Sequence, residues 1–235
     1  MQTIKEFQSE LLKDAERMRN DSQLQDDAFS VLVRADRHRW IHQTNFAGIP
    51  ALQLPQDLFT MQEVIFKTKP QVIVELGVAW GGTTMFFESF HQGDIIGVDL
   101  QIPDHLRDAT AFKGNIRFLI GDSVLSAEIV KRFVGDRSCM VIVDSMHTHE
   151  HVLAELNAFS SIVTPGCYMV VCDTLVDDPR YHEDGAARNR PWGPGNSPRS
   201  ALNQFLDENP DFKRDEDIRN KLLFSCQPDG YVYKK

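Results

Sequence analysis

Nowhere in the 235 residues does an apolar run approach the roughly 18 residues that a membrane helix requires. The first twenty residues are broken by Lys5, Glu6, Glu10, Lys13, Asp14 and Glu16, so they hold no apolar core of a secretion signal. Cysteine is scarce. Cys139, Cys167, Cys172 and Cys226 show no paired spacing and stand among apolar neighbours, which reads as buried, reduced thiols in a cytoplasmic protein. There is no basic excess either: 25 Lys and Arg against 34 Asp and Glu leave a net charge of −9. Gripping nucleic acid or an anionic membrane by bulk charge is thereby excluded. Repeats and low-complexity segments are missing, and 42% apolar with 25% charged residues is ordinary globular composition. The length suits one domain with an appendage.

What is present changes character near residue 70. Ahead of it, Ile4, Phe7, Leu11, Leu12, Ala15 and Met18 make one face of an amphipathic helix over 2–20. An irregular stretch with Trp40 and Phe46 follows, then a helix over 56–67 stopped by Pro70. From Gln71 onward, β-branched runs at 72–76, 95–98, 116–120, 140–143 and 168–172 alternate with helical patterns around 82–92, 124–134 and 150–162. Runs of that kind suit strands buried on both faces of a parallel sheet. The expected fold is therefore α/β: a Rossmann-like, doubly wound, mostly parallel sheet over 70–235 with an N-terminal helical extension over 1–69. Residues 177–198 hold Pro, Gly and Arg without apolar period and read as a lid loop. A helix over 200–208 and short strands near 222–225 and 230–233 complete the chain.

In open parallel sheets ligands bind outside the carboxyl ends of the strands. Each of the five predicted parallel strands brings an acid there: Glu75, Asp99, Asp122, Asp144 and Asp173. Clustered carboxylates repel unless a cation or a hydroxyl-rich ligand sits among them. The first strand runs into Glu75-Leu-Gly-Val-Ala-Trp-Gly-Gly-Thr-Thr84. Gly77, Gly81 and Gly82 permit positive φ and a close backbone approach at the helix start beside Thr83. The spacing is neither G-x-G-x-x-G nor a P-loop. It resembles motif I of class I S-adenosylmethionine-dependent methyltransferases. Asp99 is placed to accept two ribose hydroxyls. Asp122 and Ser123 suit either the adenine or a helix N-cap. His147, three residues beyond Asp144, is a candidate general base, since histidine titrates near working pH. The run His147-Thr-His-Glu-His151 also admits a metallohydrolase reading, although it lacks the Asp of the H-x-H-x-D-H pattern; His149 and His151 otherwise read as solvated helix-start residues.

Asp144 and Asp173, with Thr174, would converge from neighbouring strands, and hard oxygen ligands there suit Mg²⁺. The layout resembles catechol O-methyltransferase, with His147 where that family has Lys and Thr174 where it has Asn. Over residues 40–235 the chain is similar to the cephalosporin hydroxylase/rhamnosyl O-methyltransferase family. The features are Gly48-Ile-Pro-Ala-Leu-Gln-Leu-Pro-Gln-Asp57, Glu75 to Gly82, Asp144-Ser-Met-His147, Pro165-Gly-Cys-Tyr168 before Asp173-Thr174, and Pro194-Gly-Asn-Ser-Pro198. Some of its members carry Glu-Asp where Cys172-Asp173 stands here. The resemblance implies an O-methyltransferase using S-adenosylmethionine and Mg²⁺ on a sugar or natural-product hydroxyl, assembled as a homo-oligomer. A non-catalytic cofactor-binding subunit that assists a partner enzyme is the alternative. Arg180, Arg188, Arg190 and Arg199 are candidates to read an anionic part of the substrate. The excess of acid falls mainly on residues 71–176, which hold 13 acids and 6 bases.

Overall fold

The computed structural model describes residues 2–183 and 188–235. Two helices open the chain, α1 (Ile4–Asn20) and α2 (Ser22–Asp36). Thr3 and Glu6 close a capping box on α1, and Asp21 caps α2 by accepting from the Leu24 amide. The sequence reading misses α2. Its inner face is Ala28, Leu32, Val33 and Asp36, and a buried carboxylate interrupts the apolar period. A small hairpin, β1 (Asn45–Phe46) with β2 (Ile49–Pro50), leads to α3 (Pro55–Thr68), which starts with Pro at its first turn. α3 buries Leu58, Met61, Val64 and Ile65 in the main core, so this part of the N-terminal segment shares its core with the sheet.

Strands and helices then alternate: β3 (Val72–Leu76), α4 (Gly82–Glu88), β4 (Asp94–Asp99), α5 (Asp104–Thr110), β5 (Ile116–Ile120), α6 (Ser123–Val134), β6 (Cys139–Val143), α7 (His149–Phe159) and β7 (Tyr168–Val171). After α8 (Pro179–Glu183) and α9 (Pro198–Glu208) come β8 (Phe212–Arg214), α10 (Glu216–Lys221) and β9 (Tyr231–Lys234). The seven-stranded sheet has the order β5-β4-β3-β6-β7-β9-β8, parallel through β7 and antiparallel at β9 and β8. β3, β6 and β7 are buried at every position, as strands covered on both faces must be. The winding reverses between β3 and β6, and a crevice opens at such a reversal.

The chain closes differently from its sequence pattern. Residues 222–225 form no strand. Their backbone is held by α3 side chains instead: Phe224 N–H donates to Gln56, while Ser225 Oγ and Cys226 N–H donate to the Asp57 carboxylate at 2.5 and 2.8 Å. Burial pushes the Asp57 carboxyl up to about 7 against those hydrogen bonds. β9 lies between β7 and β8, and β8 is an edge strand too short to register as a run. The predicted lid also contains structure. Tyr181 of α8 is buried, and Asp177 accepts from Gly195 N–H and Ser197 Oγ. Residues 184–187 of that loop lie outside the described residues. The four cysteines are free and buried. No helix among the described residues is long and apolar enough to cross a membrane.

Gly77 sits where the turn after β3 meets the turn after β6. Its φ is 91°, and an added Cβ would lie 2.1 Å from the Asp144 carbonyl oxygen. Gly77→Ala is therefore expected to lower stability by about 2 kcal/mol or more, from positive φ and overpacking together. Urea unfolding of the two proteins measures it, and an unchanged midpoint would contradict the packing described.

Candidate active site

Three side chains meet at the reversal point. Asp144 follows β6 directly, with its amide bonded to Leu76 O of β3 at 2.8 Å. Asp173 lies two residues past β7 in a left-handed conformation, φ 53°, a strained state for a non-glycine residue and a common mark of functional sites. His147 stands between them, Nε2 3.4 Å from Asp144 Oδ1 and Nδ1 3.0 Å from Asp173 Oδ2. One donor atom from each of the three lies within 4.8 Å of the others. Burial opposes a charged imidazole. The Asp173 charge and the contacts to both carboxylates overcome it and raise His147 to about 10. Removal from bulk water raises Asp144 in turn, against its bond to His147. Both ring nitrogens are shut from solvent without a well-aligned hydrogen bond, so the donor set is open to a cation. The two hard carboxylates fit a divalent ion of the Mg²⁺ or Mn²⁺ kind, with the imidazole standing between them as counter-charge in the ligand-free protein.

The cluster opens into a cavity of about 270 Å³ that also takes in Glu75, Gly77 and Thr83 from the glycine-rich turn. Glu75 is buried and accepts from Thr84 Oγ1. Burial pushes it up to about 8, with the Asp144 and Asp99 charges adding to the rise against the Thr84 bond. Asp99 organises the turn, since its Oδ2 accepts from the amides of Val78 and Ala79 at 2.8 and 2.9 Å. The other glycines make close contact with the protein itself: a Cβ at Gly81 would strike Leu106, and one at Gly82 the Pro50 carbonyl. Asp122 caps α6 through the Leu125 amide. Thr174 does not line the cavity. The left-handed turn at Asp173 sends it inward, fully buried, its hydroxyl facing the Asp229 amide at 3.5 Å.

The other two histidines of the run are half-buried with protein partners, and they do not join His147. His149 reaches Ser200 Oγ at 2.8 Å and Gln204 Oε1 at 3.0 Å, joining α7 to α9. His151 faces Ser123 Oγ at 3.1 Å and the buried Glu155 at 3.4 Å; its bond to Glu155 raises its pKa against burial. Their partners draw them apart, and among the described residues the one candidate metal cluster contains neither. The metallohydrolase reading loses its ligand set.

Several further side chains complete the site. Ser145 Oγ donates to Glu155 at 2.6 Å and fixes the loop between Asp144 and His147. Gln53 Nε2 donates to Asp144 Oδ2 at 2.9 Å, and Gln53 Oε1 accepts from Gln227 Nε2 at 3.2 Å. Gln53 falls in the quoted segment 48–57, but a glutamine in a loop carries no signal of period or charge. Trp192 packs on His147 with ring centroids 4.9 Å apart. His42 and Tyr181 also line the cavity. Burial holds His42 below the ordinary histidine value, and the Arg188 charge adds to this.

A seven-stranded doubly wound sheet with its order reversed at β3/β6, antiparallel pairing at β9 and a glycine-rich turn after the first parallel strand is the class I methyltransferase architecture. Residues 38–235 match the family Rhamnosyl O-methyltransferase/CmcI, and the chain belongs to it. The Rhamnosyl O-methyltransferase of Mycobacterium leprae is 26% identical over 221 residues, covering 86% of this chain and 91% of that protein. That of Mycobacterium tuberculosis is 25% identical over 220 residues, 87% and 86% of the two chains. In fold, the chain is similar to the CmcI apo-structure, with TM-score 0.57, 18% identity and coverage of 82% and 76%. It is likewise similar to a CmcI structure with Mg and SAM, with TM-score 0.56, 19% identity and coverage of 83% and 77%. The protein is an S-adenosylmethionine-dependent O-methyltransferase.

Stability of the ligand-free protein should depend on pH through this cluster. Glu75 titrates near 8 when folded against 4.5 as a free side chain, and His147 near 10 against 6.5. In both cases the folded state keeps a proton that the unfolded chain has released. The His147 contribution is complete below 6.5 and is lost as pH rises through about 10. Melting temperature is therefore expected to fall between about pH 7 and about pH 9, and to fall less steeply in Asp173→Asn. Calorimetry with divalent ions chelated checks this, and a flat or rising profile contradicts it.

Proposed function

We propose that this enzyme methylates a hydroxyl of a sugar, a rhamnosyl unit being the first candidate, with a Mg²⁺-type ion at Asp144 and Asp173. The single observation that carries the reading is that the acid–imidazole–acid cluster and the glycine-rich turn share one cavity. The rhamnosyl choice leans on what the mycobacterial relatives are named for. The cofactor is taken to lie across the strand ends. Its methionine part is read near Glu75, Gly77 and Thr83, its ribose at Asp99 and its adenine at Asp122 and Ser123, with Gly81 and Gly82 shaping the turn.

When bound, a divalent ion at this site supplies positive charge that acidifies a neighbouring hydroxyl. His147 would accept the hydroxyl proton at a ring nitrogen, and the sulfonium of the bound cofactor would supply the methyl group to the freed oxygen and leave as a neutral thioether. The carboxylates that raise His147 are the proposed metal ligands, so cation and imidazolium compete for the same negative charge. Gln53 and Ser145 hold the Asp144–His147 loop in register. Trp192 and Tyr181 of α8 line the cavity and would help to exclude water from it.

A homo-oligomer is part of the proposal. α1 buries no residue, and Ile4, Phe7, Leu11 and Leu12 are exposed on it. Phe7→Glu is expected to shift sedimentation toward smaller species, and unchanged sedimentation would remove the role of α1. For the chemistry, Asp144→Asn is expected to abolish turnover while S-adenosylmethionine binding by calorimetry changes less than about threefold, and His147→Ala to lower kcat by about 10²–10⁴-fold. Surviving turnover in Asp144→Asn would overturn the metal assignment.

A further inference from the structure

Of the four arginines in the segment 180–199, three are committed to carboxylates. Arg180 pairs with Asp178 and Asp26 at 2.7 and 2.9 Å. Arg199 pairs with Asp229 at 2.9 Å. Arg188 holds the buried Asp36 at 2.7 Å, and Tyr181 Oη donates to the same oxygen at 2.9 Å. Arg190 is different. It is exposed, lines the cavity, and has no carboxylate partner among the described residues. Its guanidinium lies over the Trp192 ring at 5.4 Å, and the same ring contacts His147 at 4.9 Å. The two residues before it, Arg188 and Asn189, both adopt left-handed backbone, φ 52° and 54°. Such strain in consecutive non-glycine residues persists where the surrounding structure fixes it, and here it aims a guanidinium at the mouth of the site.

The charge in the cavity is thus divided. On the floor, Asp144 and Asp173 share His147. On the wall, Arg188 is neutralised by the buried Asp36 behind it. Arg190 is the lining arginine without a carboxylate partner among the described residues, and it shares one indole with the proposed base. A neutral sugar needs no such group. An anionic substituent does, and a guanidinium fork fits phosphate or carboxylate oxygens.

We propose that Arg190 forms an anion subsite, and that the acceptor is a sugar bearing a phosphate or carboxylate group beside the hydroxyl that is methylated. This rests on the methyl-transfer reading above and narrows its substrate class. Arg190 binds the anionic group, Trp192 packs against the sugar ring, and the hydroxyl is presented to His147.

The test is calorimetry with Mg²⁺ and saturating S-adenosylhomocysteine, using three probes: α-L-rhamnose 1-phosphate, D-glucuronate and the neutral methyl α-L-rhamnoside. At least one charged sugar is expected to bind about ten- to a hundred-fold more tightly than the neutral glycoside. Which one does so distinguishes phosphate from carboxylate. Arg190→Gln should remove that preference and leave neutral-glycoside and S-adenosylhomocysteine binding unchanged, and Arg190→Lys should keep part of it. Equal binding of all three probes, no binding of any, or a preference that survives in Arg190→Gln overturns the subsite while leaving methyl transfer standing. Failure of S-adenosylhomocysteine itself to bind overturns both readings.

Discussion

Two carboxylates on neighbouring parallel strands face one imidazole, and the rest of the site is arranged to keep them there. Asp144 and Asp173 repel each other in a place largely removed from water. His147 relieves that repulsion in the ligand-free protein, which is why its pKa rises although burial alone would lower it. In the proposed mechanism a divalent ion would relieve it instead, and the imidazole, freed from its proton, would serve as the general base.

Holding that geometry falls to segments distant in sequence. Gln53, which precedes the first core strand, bonds to Asp144 and to Gln227 near the end of the chain. Asp57, four residues later, replaces a strand partner for residues 225–226. Ser145 reaches Glu155, and Glu155 reaches His151 beside Ser123, so the acid loop is tied to the start of α6. The N-terminal segment braces the Asp144 loop through Gln53, and the C-terminal segment holds Gln53 in turn. The glycines contribute by letting backbones touch: Gly77 against Asp144 and Gly82 against Pro50.

Much of this was legible before any fold was drawn. The runs that became β3, β6 and β7 are continuous and apolar because both faces of the sheet are covered there, and burial on both faces is written directly into composition. Asp144, His147 and Asp173 could be picked out because strand-end acids and a histidine three residues on are local patterns. Elements failed where side chains did the work of periodicity. α2 carries a buried Asp36, and residues 222–225 are held by Gln56 and Asp57 rather than by a strand. His149 and His151 looked exposed because their partners lie on α9 and α6, elements whose packing against α7 has no local signature.

The sequence by itself determined the class of fold, the acidic rim and the glycine-rich turn, since these follow from short-range pattern and from the chemistry of strand ends. The pairing of Asp144 with Asp173 was legible too, because β6 and β7 lie side by side as expected. Only the tertiary structure decided that Asp99 holds a turn and Asp122 caps a helix. It also decided which of four similar arginines keeps its charge unspent. Arg180, Arg188 and Arg199 find carboxylates on distant parts of the chain and Arg190 finds none among the described residues, a difference set by pairing in space rather than by residue type.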